Sequence, residues 1–249
     1  MTDFRLENNI AVLTLNRPEK RNALSPAMIN DFISIFMECE SNPEVKSIII
    51  TGKGKAFSAG ADLEYLQQLR NNTVSENDLD SSLITKLILT VYESGKPTIA
   101  AVNGPAIAGG CGLATACDFI FADKSSSMFG YSEVRIGFLP AIVSYLLLRR
   151  MNEFKARQLL ISAEIFGAQR ALELGLIDFI SDDVIQDSII LAEKLNQNSQ
   201  ESIKQTKNLL RTISSLDHKR SIQMAQKYNV ISRTTDEFKS GIDQFLNKK

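Results

Sequence analysis

Three short stretches of this 249-residue chain hold residue types and spacings that could do chemistry. The first, Phe57-Ser58-Ala59-Gly60-Ala61-Asp62-Leu63, sets small residues between a β-type run and a helix that begins at Asp62 or Leu63. The second, residues 96–122, reads KPTIAAVNGPAIAGGCGLATACDFIFA. There an apolar run at 98–102 meets the turn residues Asn103-Gly104-Pro105, and Gly109-Gly110 opens an Ala/Leu/Cys-rich segment of helical composition. The first amides of a helix lack an acceptor within it, and the helix dipole adds partial positive charge, so such amides can hold an oxygen that gains negative charge. Two junctions of this kind could aim two N–H groups at one oxygen, as acyl-transfer and enolate chemistry requires. The same glycines could equally serve close helix-to-strand packing.

The third stretch, FGYSEVRIGFLP at 129–140, sets one carboxylate, Glu133, among turn residues and apolar groups. Desolvation disfavours a charged carboxylate, which would let Glu133 act as an acid or base near neutral pH; a structural ion pair with Arg135 is the alternative. Lys20 and Arg21 in the loop RPEKRNALSP read either as a solvated basic turn or as a contact to a phosphate-bearing ligand. Gly52-Lys53-Gly54-Lys55 lacks the spacing that lets a backbone wrap a phosphate chain, and is set aside.

Several elements must position these stretches. Alternation at 10–15 predicts a strand, the pattern at 28–39 an amphipathic helix, and the apolar run at 45–51 a buried strand. The polar segment 70–82 reads as a mobile surface segment or as the frayed start of a helix at 83–93. Beyond residue 141 the pattern is mostly helical, with helices at 143–151, 153–162, 168–174, 184–196, 199–216, 218–232 and 234–248 and a short strand at 176–180. The last third therefore reads as a helical appendage.

A hydrophobic content of 44% over this length supports a substantial core, and a formal net charge of -1 supplies no global field for nucleic acid or acidic membrane. No apolar run reaches the roughly 18 residues that span a bilayer, and the N-terminus has no leader pattern, so a cytoplasmic protein is expected. Three cysteines without CxxC spacing, Cys39, Cys111 and Cys117, argue against a disulfide framework or structural zinc and read as small core residues.

AFSAGADLEYL, AAVNGPAIAGGCGLATACD and FGYSEVRIGFLP, in this order and spacing, resemble the signature blocks of the enoyl-CoA hydratase/isomerase (crotonase) family. The resemblance runs over essentially the whole chain. It implies an α/β crotonase (ClpP/crotonase-like) fold of repeated ββα units in two sheets. A core domain over residues 1–190 would be followed by a C-terminal helical trimerisation region over 191–249. Trimers or dimers of trimers are implied. So is a reduced contribution of the tail to a neighbouring subunit, since relatives continue past Lys248 and Lys249. Carried over by residue, the oxyanion hole would be the amides of Ala61 and Gly109, and Glu133 the catalytic glutamate. Lys20, Arg21, Ala23 and Leu24, with Ala59, Ala61, Asp62, Leu63 and Gly109, match segments that line the coenzyme A thioester. No metal or redox cofactor is implied, coenzyme A being part of the substrate. The acyl pocket would be lined by 70–82, Tyr131 and 142–145.

The departure from the pattern is Gly112, where many hydratases of the family carry a second glutamate. The implied chemistry is therefore hydration or dehydration with Glu133 alone, isomerisation of a 3-enoyl thioester, or dehydration of an acyl carrier protein substrate. GGCGL with SEVRIGFLPA resembles methylglutaconyl-CoA-type hydratases most closely. A non-catalytic acyl-CoA-binding homologue is the rival from another class. A dinucleotide fingerprint fails because Thr115 stands at the third glycine position, and a cysteine hydrolase because the sole histidine, His218, sits in the helical tail as a surface residue.

Overall fold

The computed structural model describes residues 1–247. The chain opens with β1 (Thr2–Glu7) and β2 (Ile10–Leu15), followed by α1 (Pro26–Ser41) and β3 (Ser47–Gly52). Next come α2 (Leu63–Leu69), α3 (Val74–Tyr92), β4 (Thr98–Val102), β5 (Ala106–Ile107), α4 (Gly109–Thr115), β6 (Phe119–Asp123) and β7 (Met128–Gly130). The remainder is α5 (Ala141–Arg150), α6 (Glu153–Ser162), β8 (Phe166–Gly167), α7 (Ala168–Leu174), β9 (Phe179–Ser181), α8 (Val184–Leu195), α9 (Gln200–Ile213), α10 (His218–Ser232) and α11 (Asp236–Leu246). The expected ββα order is present in β1-β2-α1, β4-β5-α4 and β6-β7-α5, while β3 leads directly to α2 and α3 and the chain closes with four consecutive helices among the described residues.

The main sheet has the order β1-β2-β3-β4-β6-β9, and a small second sheet has the order β5-β7-β8. Only β1 runs antiparallel in the main sheet; β2, β3, β4, β6 and β9 are parallel neighbours. Parallel strands need cover on both faces, and β3 is buried at all of its positions. Its period-2 alternation divides the core. Ile48 and Ile50 join α1, α3 and α4 on one face, while Ile49 joins Ile10, Val12, Ile99 and Phe121 under α8 on the other. Helix α8 spans residue 190, where the division between core and tail falls in the sequence reading, and both Val184 and Ala192 pack on the sheet.

Several local expectations need correcting. The polar segment 70–82 is a turn only over residues 70–73: Thr73 caps the amide of Glu76, the Glu76 carboxylate returns to Thr73, and α3 starts at Val74, well before the expected residue 83. Its polar residues form the exposed first turns of a helix whose apolar positions Leu87, Ile88 and Val91 are buried later. The strand expected at 176–180 shifts to Phe179–Ser181, since Leu176 and Ile177 are core residues of the preceding connection. Strands β1 and β6 were not expected. Cys39, Cys111 and Cys117 are buried and unpaired. Among the described residues no helix is long and apolar enough to cross a membrane. Lys248 and Lys249, on which the expected tail contribution rests and where the last expected helix ends, lie outside the described residues.

Candidate active site

The two glycine turns meet. Ser58 and Ala106 form a parallel bridge in which Ser58 N donates to Pro105 O at 3.1 Å and Ile107 N to Ser58 O at 3.0 Å. This places Gly60, with φ +84°, against the start of α4, where a Cβ on Gly60 would stand 3.3 Å from the Gly109 nitrogen. Gly110 is required by the same approach, since its Cβ would overlap Ser58 O at 2.3 Å. The close-packing role of the glycines is therefore real, and it is what brings the two sets of amides together.

Ala108, before α4, has φ 49° and ψ -122°, a backbone region that L residues seldom adopt, and its own amide donates to Gly130 O at 2.8 Å. Held in this way, it turns the chain so that Gly109 opens the helix. Among the described residues neither the Gly109 amide nor the Ala61 amide has a hydrogen-bond acceptor, and Ala61 is exposed while Gly109 is partly so. Both N–H groups remain free to meet a ligand oxygen.

The Arg21 to Leu24 segment is stitched to the Ala59 to Asp62 segment. Ala59 N donates to Arg21 O at 3.0 Å, Leu24 N to Gly60 O at 2.7 Å, and Asp62 N to Leu24 O at 3.2 Å. Ala23 and Leu24 are buried beneath this seam, Leu63 begins α2, and Arg21 is exposed in a left-handed conformation. Lys20 is exposed and forms an ion pair with Glu64, which raises its pKa. The residues matched to the thioester-lining segments thus lie along one edge.

Asp62 is committed elsewhere. Its Oδ2 accepts from both terminal nitrogens of Arg17 at 3.1 Å, and its Oδ1 caps α2 by accepting from Glu64 N at 3.0 Å. Burial alone would raise the carboxyl pKa, but Arg17 and the cap amides outweigh it and hold the group below its ordinary value. A carboxylate so paired is poorly suited to take up a proton. Arg17 and Asn22 escaped the sequence reading. Arg17 also donates to Ala23 O at 3.1 Å, and buried Asn22 donates to Ala56 O at 2.7 Å, so both brace the seam.

Glu133 is as buried as Asp62 but differs in its partners and in the direction of its pKa shift. It begins a 3-10 turn, Glu133–Ile136, just after β7, and β7 pairs with β5 so that Gly130 stands opposite Ile107, two residues before Gly109. Its side chain is buried, and Oε2 has no hydrogen-bond partner among the described residues. Arg135 does not pair with it, donating instead to Ala163 O at 2.5 Å. Desolvation raises the Glu133 pKa. Burial thus disfavours the charged form of this carboxyl, and among the described residues no hydrogen bond holds its Oε2, the kind of environment in which acid/base groups are found.

Tyr131 does not line an open pocket as expected; it is fully buried, its hydroxyl 2.7 Å from Thr115 Oγ1. That contact joins the strand leading to Glu133 with the end of α4. Two surface cavities lie elsewhere, about 660 Å³ between α1 and α3 and about 500 Å³ between α5 and α9, and neither is lined by Ala61, Gly109 or Glu133. Among the described residues no cluster of three His, Cys, Asp or Glu could hold a metal ion. His218 is exposed at the start of α10.

Comparison with known proteins gives a consistent result. The family model described as enoyl-CoA hydratase/isomerase matches residues 5–249. A Thermus thermophilus protein, provisionally designated an enoyl-CoA hydratase, is 38% identical over 245 residues, covering 98% of this chain and 96% of its own. The Escherichia coli 2,3-dehydroadipyl-CoA hydratase is 30% identical, covering 98% of this chain and 94% of its own. The crystal structure of an enoyl-CoA hydratase from Shewanella pealeana superposes with a TM-score of 0.95 at 28% identity, over 100% of this chain and 94% of that one. With this fold, the paired turns and matches over nearly its full length, the chain belongs to the enoyl-CoA hydratase/isomerase family of enzymes.

Proposed function

We propose that this enzyme adds or removes water at a 2-enoyl thioester of coenzyme A, with the Ala61 and Gly109 amides holding the thioester oxygen and Glu133 moving the proton. In the hydration direction, Glu133 as carboxylate takes a proton from water while the water oxygen bonds to C3. The C2–C3 π electrons move onto the thioester as an enolate, whose oxygen charge the two amides stabilise. Protonated Glu133 then delivers that proton to C2, which restores the carboxylate. With one carboxylate serving both transfers, hydroxyl and hydrogen arrive on the same face of the double bond. The observation that carries this reading is the free pair of turn amides together with a buried glutamate, three residues past the Gly130 that pairs with Ile107, whose Oε2 has no partner among the described residues.

The same residues suit a second reading. Glu133 could take a proton from C2 of a 3-enoyl thioester and return it to C4, and the lack of a second carboxylate at Gly112 favours this. The seam of Lys20, Arg21, Ala23 and Leu24 with Ala59, Asp62 and Leu63 supports binding of the coenzyme A portion, either free or as the phosphopantetheine arm of an acyl carrier protein. Methylglutaconyl-CoA is the branched substrate that the GGCGL and SEVRIGFLPA blocks favour. Assembly as a trimer or a dimer of trimers, with the helices beyond α8 in the contacts, agrees with exposed apolar residues on α10 and α11 such as Ile222, Ile231 and Ile242. Incubation with crotonyl-CoA, methylglutaconyl-CoA and a 3-enoyl-CoA, with products identified by mass, separates the readings. Hydration adds the mass of water, isomerisation leaves the mass unchanged, and inertness toward all three contradicts both.

A further inference from the structure

Helix α4 carries two glycines one turn apart, Gly109 and Gly112, whose Cβ positions both point at apolar side chains. A Cβ on Gly109 would make ordinary contacts, 3.5 Å to Leu24 Cδ1 and 3.9 Å to Ile84 Cδ1. At Gly112 the situation changes: a Cβ would stand 2.3 Å from Val143 Cγ1, with Ile88 Cδ1 at 3.6 Å. No two unbonded carbons approach so closely, so the Val143 methyl already occupies the place of a side chain at residue 112. Val143 is buried on α5, and a β-branched residue in a helix has one strongly preferred χ1 rotamer, so that methyl cannot readily swing away.

Residues three apart share a helix face, and Gly112 lies about 4.5 Å along the axis from Gly109. An acyl group that runs along α4 from an oxygen held at the Gly109 amide therefore meets Val143 after a few carbons. We infer that Val143, seated on Gly112, closes the acyl chamber: it restricts the enzyme to short acyl groups and keeps a second carboxylate off α4. This inference rests on the proposed placement of the thioester oxygen at Gly109. It identifies specificity with one pair of residues, a glycine without a side chain and the valine that fills the space.

Saturated acyl-CoA thioesters of four and eight carbons bind without reacting, so their affinities read the chamber independently of turnover. Calorimetric titration should show Val143→Ala improving the eight-carbon to four-carbon affinity ratio by about tenfold or more, the scale of methylene discrimination in an apolar pocket. Val143→Leu should move the ratio the other way. In the same series Gly112→Ala should lower the melting temperature, and adding Val143→Ala should restore most of the loss, which only residues in contact do. An unchanged ratio in both Val143 variants overturns the inference, even where Glu133→Gln abolishes turnover and so leaves the proposed chemistry standing. A shifted ratio in an enzyme that turns over no enoyl thioester keeps the chamber and removes the chemistry. Failure of every thioester to bind overturns both.

Discussion

The Gly60 backbone lies against the Gly109 amide, so that a Cβ on Gly60 would be 3.3 Å from the Gly109 nitrogen and 2.6 Å from Ile107 O. Gly60 also has φ +84°, which a side chain would strain. Gly60→Ala should therefore cost about 1–3 kcal/mol in a urea titration, the usual scale of local backbone strain. Because the contact lies at the free amides, turnover should fall further than stability does. Full activity in a folded Gly60→Ala protein would mean that the turn does not set the position of the amides.

Arg17 and Asp62 form a nearly enclosed ion pair at 3.1 Å that ties the loop after β2 to the start of α2. Removing one partner leaves the other charge buried. Arg17→Met should destabilise by roughly 3 kcal/mol, and Asp62→Asn in the same background should recover part of the loss. Equal losses that simply add would show that the two side chains do not depend on each other.

Glu133 should cost stability for the sake of function. Its folded pKa is raised above the ordinary value of 4.5 by burial, so between that value and the raised one the folded state binds the proton that the unfolded state has lost. Stability in the wild type must then fall as pH rises through this window, while Glu133→Gln is indifferent to it. Melting curves should find Glu133→Gln more stable than wild type at pH 8, with the gap narrowing toward pH 4. A variant less stable than wild type at pH 8 would show that the carboxylate is satisfied in a way the structure does not contain.

How much of this was legible in the sequence depends on where the determining contacts lie. Glu133 stood out because it is the one carboxylate among apolar and turn residues in its stretch. The two turns stood out because small residues between strand and helix leave a backbone bare, while the choice of the Ala61 and Gly109 amides within them came from the family resemblance. Asp62 was matched to the thioester-lining segments by the same resemblance, and its contact with Arg17, 45 positions earlier, which braces the seam, could not be read from the sequence. Val143 falls within the 142–145 stretch expected along the acyl pocket, but nothing singled it out there, since an apolar residue in an apolar helix looks the same whether it packs on a side chain or on a glycine. The polar start of α3 was misread because capping by Thr73 and Glu76 outweighs the lack of an apolar stripe.

Assembly offers a check of a different kind. Ile136, Phe138 and Leu139, beside the Glu133 turn, are 67%, 61% and 68% exposed, and large apolar groups clustered in this way seek cover. Light scattering at micromolar concentration should give the mass of three or six chains, and Phe138→Glu should shift it toward smaller species. A monomer at every concentration would remove the proposed assembly without touching the chemistry.

The most direct test of the central claim is turnover of crotonyl-CoA, methylglutaconyl-CoA and a 3-enoyl-CoA by wild type and by Glu133→Gln, followed by product mass. If Glu133 carries the proton beside the Ala61 and Gly109 amides, wild type converts at least one of them. Glu133→Gln then loses roughly 100-fold to 10,000-fold in kcat while still binding the thioester. Undiminished turnover in a folded Glu133→Gln protein would contradict the account.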